Sequence, residues 1–214
     1  MRVQMFTPTV LTFREFMTHE PLPLATIHQA VLEFLRERND VVLFGAQAVN
    51  VYVDEARMSE DVDVQSIRAH ELAEELREFL AKTFHIAVRV REVAQGKGLR
   101  LYQIRKQGNR HLVDIRPVNE LPPTRRIAEI LVATPAELIA QKVIAYHSRR
   151  GQPKSGTDWR DIAMLLLAFP ELKNENSAVA ERLRAANASD EVTDLWKELV
   201  KQEIRPTDED SEFE

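Results

Sequence analysis

Cysteine is missing altogether from this chain of 214 residues. Its absence excludes disulfide stapling, thiolate zinc and iron–sulfur centres and a cysteine nucleophile, and it suits a reducing compartment. Glycine is scarce, six residues against ten prolines, which excludes collagen-like repeats. Long apolar runs are missing too. The longest, Ile162 to Phe169, falls far short of the roughly 20 residues of a membrane span. The first twenty residues lack the basic start and apolar core of a secretory leader. The expectation is a cytoplasmic protein with no membrane partner. What is present, 44% hydrophobic and 29% charged residues, suffices for one substantial core or two small ones.

The charge of −5, from 29 Lys+Arg and 34 Asp+Glu, argues as an average against a nucleic-acid partner. Its distribution is uneven. Five acids (Asp208, Glu209, Asp210, Glu212 and Glu214) crowd the last seven residues, so the rest of the chain is formally neutral. Between Arg89 and Arg126 ten basic residues stand against three acids, a local +7. Such a block suits a polyanion; it equally suits the solvated face of hairpins.

Leu24, Ile27, Val31 and Leu35 recur at helical spacing after Pro21 and Pro23, predicting a helix over 24–38. Val41 to Phe44 is a short apolar run closed by Gly45 and reads as a buried strand, followed by a helix over Ala46 to Val53. Asp61 to Val64 alternates as a strand does, and a polar helix covers Ala69 to Lys82. His85 to Val93, Leu99 to Ile104 and His111 to Ile115 are strand-like, with hairpin signals at Gly96-Lys97-Gly98 and Gln107-Gly108-Asn109. Thr134-Pro135-Ala136-Glu137 is a helix start, with a threonine cap, proline in the first turn and glutamate three residues on. Helices are then expected at Pro135 to Arg149, Asp158 to Phe169, Ser177 to Ala186 and Ser189 to Lys201. The organisation expected is α/β: residues 1–133 with a mixed sheet and an N-terminal helix, a helical domain over 134–205, and an acidic tail over 206–214, expected to be disordered.

Asp61 and Asp63 are two apart on a strand and share a face, where two carboxylates repel unless a cation lies between them. Oxygen donors without cysteine favour magnesium or manganese over zinc. Asp114, between Val113 and Ile115, adds a third carboxylate if its strand neighbours the first, a two-metal phosphoryl-transfer arrangement. The bland counterpart is the solvated face of an edge strand. Gly45, sixteen positions before Asp61, stands where a strand meets a helix and lets a phosphate approach, although any tight turn uses glycine there. Asp158 beside Thr157 fits a helix N-terminus as well as catalysis, whereas Asp161 lies a turn further in. Lys142 reads equally as a solvated helix lysine. None of the six histidines pair at ligand spacing, and His147 reads as a partner for a helix C-terminus. Tyr52 and Trp159 have rings able to stack on a base, but packing in the core is the expectation.

Phe44-Gly45-Ala46-Gln47-Ala48-Val49-Asn50, followed by Arg57-Met58-Ser59-Glu60-Asp61-Val62-Asp63-Val64, resembles the signature of the nucleotidyltransferase superfamily, whose fold is shared with DNA polymerase beta. Ala140 to Tyr146, Arg149-Arg150, and Thr157-Asp158-Trp159-Arg160-Asp161-Ile162 are similar to the lysine and arginine-aspartate-x-x-aspartate helices of the abortive-infection nucleotidyltransferase-like toxins of type IV toxin–antitoxin systems. The resemblance implies a nucleotidyltransferase fold: a mixed sheet flanked by helices, then a C-terminal helical domain. It implies magnesium or manganese at Asp61, Asp63 and Asp114. The triphosphate would lie at Gly45 and the turn after it, with Ala46 and Ser59 beside it. Lys142 would reach a phosphate, and Asp158 or Asp161 would complete the site. The activity implied is transfer of a nucleoside monophosphate from a nucleoside triphosphate to a hydroxyl of an RNA or tRNA end or of a protein. A toxin role would bring an antitoxin protein as partner. Two positions depart from the pattern, Ala46 for a glycine or serine and Thr157 for an arginine. They motivate an alternative: an inactive nucleotide-binding or partner-binding module of the same fold.

Overall fold

Strand propensity and hydrophobic alternation account for most of the first unit of the computed structural model, which describes residues 15, 17, 20–106 and 108–206. The chain divides into two compact units, Met1–Ala48 with Met58–Ala133, and Val49–Arg57 with Thr134–Glu214. The acidic end lies, from residue 207 on, outside the described residues.

In the first unit come α1 (Leu24–Leu35), β1 (Val41–Phe44), the start of α2 (Gly45–Asn50), β2 (Val62–Ser66) and α3 (Ala69–Phe84). Then follow β3 (Val88–Val93), β4 (Gly98–Gln103), β5 (Arg110–Pro117), β6 (Thr124–Ile127) and β7 (Ile130–Ala133). The seven strands make one mixed sheet in the order β3-β4-β5-β2-β1-β7-β6. β2 and β5 are parallel, as are β1 and β7, and the other neighbours are antiparallel. All four residues of β1 are buried, which explains its unbroken apolar run: it is a central strand covered on both faces. β2 alternates instead. Val62 and Val64 are fully buried while Asp61 and Asp63 point the other way. α3 turns Leu72, Leu76 and Leu80 inward and packs on β3, β4 and β5, so the apolar face of the sheet is closed by helix and the opposite face carries the acids.

The β6–β7 hairpin turns at Ala128 and Glu129, both with positive φ (46° and 64°), as a two-residue primed turn requires. Neither residue favours that region. The turn is held from outside: the Glu37 N–H donates to the Glu129 carbonyl at 2.8 Å, and Arg126 donates to the same oxygen at 2.9 Å.

The second unit contains α4 (Pro135–Ser148), α5 (Pro153–Ala168), a short 3-10 turn (Pro170–Leu172), α6 (Ala178–Ala185) and α7 (Asp190–Lys201). The Thr134 hydroxyl accepts the Glu137 N–H at 3.4 Å. The Glu137 side chain does not complete a capping box; Arg182 and Gln141 bind it at 2.6 and 2.8 Å, tying α4 to α6. α5 begins five residues before the expected Asp158, with Pro153 in its first turn. Ser155 and Thr157 bond back to the carbonyls of Gln152 and Lys154, both at 2.8 Å, so the polar stretch that reads as a loop is the first turn of the helix. Asp158 therefore lies inside the helix and does not cap it. No helix among the described residues is long and apolar enough to cross a membrane.

Candidate active site

Strand register assembles the acidic face. Phe44 pairs with Asp63, Asp63 with Asp114, Asp114 with Arg100, and Arg100 with Arg91. Partners in register point to the same face, so one row crosses five strands and runs from an aromatic ring through two carboxylates to two guanidiniums. Arg100 Nε donates to Asp114 Oδ2 at 3.2 Å. Arg116, two residues beyond Asp114, lies over the Phe44 ring, 4.8 Å from its centroid. Asp63, Asp114, Phe44, Lys97, Arg100 and Arg116 line a cleft of about 160 Å³. A larger hollow of about 690 Å³, by Ser66, His70, Pro117 and Asn119, includes none of the expected site residues.

Gly45 has φ +70°, and a Cβ there would lie 2.6 Å from the Asp63 Cγ, overlapping the carboxylate. Both facts demand glycine: the turn needs the left-handed region, and Asp63 needs the room. Ala46 is buried in the turn after it. Asp61 precedes β2. The Ser59 hydroxyl donates to the Asp61 carbonyl at 2.9 Å and lies 3.4 Å from its carboxylate.

Asp61, His111 and Asp114 each offer a ligand atom within 4.8 Å of the others, the one such group among the described residues. His111 Nδ1 is 3.1 Å from Asp61 Oδ2. Asp63 is not in that group, although it pairs with Asp114 and shares the cleft with it. A donor set of carboxylates and one imidazole suits a divalent cation.

His28, on α1, is buried next to this group. Burial pushes its imidazole down to about 4, outweighing the nearby Asp61 carboxylate and Glu60 carbonyl, which favour the charged form. It is a neutral wall behind Asp61. Neither His28 nor His111 was a candidate from the sequence, because each meets its carboxylate only across the fold.

Within the helical unit, Asp158 and Asp161 lie three apart on α5 and are 1% and 0% exposed. Arg57 grips Asp161 with two bonds, Nε to Oδ1 at 2.7 Å and Nη2 to Oδ2 at 2.8 Å, and Lys142 Nζ reaches it at 2.7 Å. Burial alone would raise the Asp161 carboxyl, but Arg57 and Lys142 prevail and hold it below the usual carboxylate range. Asp158 accepts from Arg149 at 2.8 Å and has Lys142 at 3.6 Å. Arg149, the C-terminal cap of α4, thus brings a positive charge to Asp158. Arg57, which sequence reasoning passed over, is clamped by Asn50, whose side chain accepts the Arg57 N–H at 3.0 Å and donates to its carbonyl at 2.8 Å. Tyr52 packs edge-on to Phe169 with centroids 5.7 Å apart, but both rings are only half-buried. Trp159 does not pack in the core: it is 38% exposed.

Residues 29–213 match the family model described as nucleotidyl transferase AbiEii toxin, type IV TA system. Among curated proteins, none matches the chain in sequence. Among solved structures, the Megavirus polyadenylate synthase is similar over 77% of this chain at 15% identity and a TM-score of 0.60. This chain spans only 35% of that enzyme. The JHP933 protein of Helicobacter pylori is similar over 89% of this chain and 90% of its own, at 14% identity and a TM-score of 0.53. At such identities these likenesses show the fold. The family match, spanning most of the chain, shows more: the protein belongs to the AbiEii family of nucleotidyltransferases of type IV toxin–antitoxin systems.

Proposed function

We propose that the protein transfers a nucleoside monophosphate from a nucleoside triphosphate to an acceptor hydroxyl, with magnesium or manganese held at Asp61, Asp63 and Asp114. The observation that carries this reading is the in-register pair Asp63 and Asp114, set beside a glycine that admits no Cβ and facing Arg100, Arg116 and Lys97 across one small cleft. A bound divalent cation would neutralise charge developing on the phosphoryl oxygens. The backbone after Gly45, including the Ala46 N–H, holds the triphosphate, and the three cleft cations offset its charge. Asp114 takes the proton of the acceptor hydroxyl. The new bond forms from that oxygen to the α-phosphorus, and the bond from the α-phosphorus to pyrophosphate breaks. In the helical unit, Lys142 contacts a phosphate, while Asp161, already paired with Lys142 and Arg57, positions that lysine. Asp158 assists directly, its Oδ1 at 3.6 Å from Lys142 Nζ, while Arg149 holds its other oxygen.

The acceptor in this proposal is the end of an RNA, a tRNA among them, or a protein side chain, and the basic β3–β5 block is the surface that favours a polyanionic one. The family further supports a toxin with an antitoxin protein as partner. A transfer assay with labelled nucleotide tests the activity: the parent labels an acceptor and releases pyrophosphate, and Asp61→Asn with Asp63→Asn does neither. Equal transfer by that variant would overturn the assignment. Triphosphate binding without pyrophosphate release would establish the inactive-module alternative. Growth arrest on expression, relieved by the same substitutions, tests the toxin role.

A further inference from the structure

His111 should not be on the acidic face at all. It is three residues before Asp114 on β5, an odd separation that places two side chains on opposite faces of a regular strand. The pairing with β4 slips between these positions: Leu101 pairs with Val113, and the next residue, Tyr102, pairs with His111. Leu112 is the extra residue of a β-bulge. It and its neighbour Val113 are both fully buried. Arg100 and Tyr102 are two apart and share a face, so their partners Asp114 and His111 share it too. The bulge turns the imidazole onto the acids.

Once there, the ring is positioned rather than merely admitted. Tyr102 lies against it with centroids 5.2 Å apart, and Nδ1 faces Asp61 Oδ2 at 3.1 Å. Nε2 is buried and has no hydrogen-bond partner among the described residues. No protein group therefore fixes the tautomer from the far side, and the group facing Nδ1 decides it. With a cation between the carboxylates of Asp61 and Asp114, Nδ1 is the nitrogen in reach.

Building on the nucleotidyltransferase reading, we propose that His111 is a nitrogen ligand of the metal site, and that it biases this site toward manganese over magnesium. Magnesium strongly prefers oxygen donors, whereas manganese and later divalent ions accept imidazole.

The test uses the full chain with manganese alone and reads ligation directly. Pulsed electron paramagnetic resonance of the bound ion should show a 14N coupling that becomes a 15N coupling when histidine is 15N-labelled. This needs no substitution. His111→Asn, whose amide N–H can replace the Nδ1 hydrogen bond to Asp61 but not the nitrogen ligand, should abolish the coupling and weaken manganese binding about tenfold or more. Magnesium binding should change less. His28→Gln, removing the neighbouring histidine, should keep the coupling. Manganese bound with no histidine coupling, or a coupling lost in His28→Gln instead, would overturn the role of His111 while leaving the nucleotidyltransferase reading intact. No manganese binding to the parent would overturn both.

Discussion

The two units place aspartates in opposite circumstances. On the sheet, Asp61 and Asp114 keep about a quarter of their side-chain surface exposed, at 22% and 26%. In the helical unit, Asp158 and Asp161 keep almost none, and each is met by an arginine and by Lys142. Identical chemistry thus serves two ends. Partly solvated carboxylates gathered on one face hold charge that a ligand can answer, whereas buried ones need their countercharges within the fold, since an unpaired buried charge costs several kcal/mol. Arg57 and Lys142 around Asp161 are the answer the chain carries with it.

That contrast can be broken most forcefully at the sheet. Asp114→Asn should lower nucleotide transfer at least about a thousandfold, a loss typical of removing a group that acts in the transition state, with little change in thermal midpoint. A large fall in the midpoint would place Asp114 among the structural acids. Asp161→Asn should do the reverse to stability, costing roughly 3 kcal/mol in urea unfolding because it strands two cations. An unchanged midpoint there would erase the distinction between the units.

His28 sharpens the comparison from a third side, since it is a buried titratable group kept neutral rather than paired. Its folded value of about 4 lies below its ordinary 6.5. The unfolded chain therefore takes up a proton first as pH falls, and stability present above 6.5 is lost between there and 4, by about 3 kcal/mol at most. His28→Gln should flatten the thermal midpoint across that window. The Asp161 contribution remains, because a carboxylate held below its ordinary 3.8 loses its stabilisation only at lower pH. A parent midpoint that does not fall between pH 6.5 and 4 would refute the neutral assignment. The smallest effect is expected at Arg149→Met. Its partly exposed pairing with Asp158 should contribute about 1 kcal/mol, read as a slight shift in the urea midpoint, and a shift as large as that of Asp161→Asn would make Arg149 an equal member of the cluster.

Much of the site was legible because it follows period and spacing. Asp61 and Asp63 share a face by alternation alone, and Gly45 announces its turn by being one of only six glycines. The pairing of Asp63 with Asp114 was conditional in the sequence; the parallel register of β2 and β5 supplies it. The β6–β7 hairpin was missed because Ala128-Glu129 carries no turn signal and is imposed by hydrogen bonds from Glu37 and Arg126. Asp158 read as a cap as readily as a catalytic group because the helix was expected to begin there, whereas Pro153 has already opened it.

By itself the sequence determined strands β1 to β5, most of the helices, and the acidic pair beside a glycine turn, since these depend on neighbours a few residues apart. The tertiary structure decided which charges meet. It set Arg57 on Asp161 across 104 positions, Arg149 on Asp158, and, through one extra residue in β5, His111 on Asp61. Long-range pairing depends on register, and a bulge of one residue reverses every face assignment beyond it, so local periodicity carries no trace of the outcome.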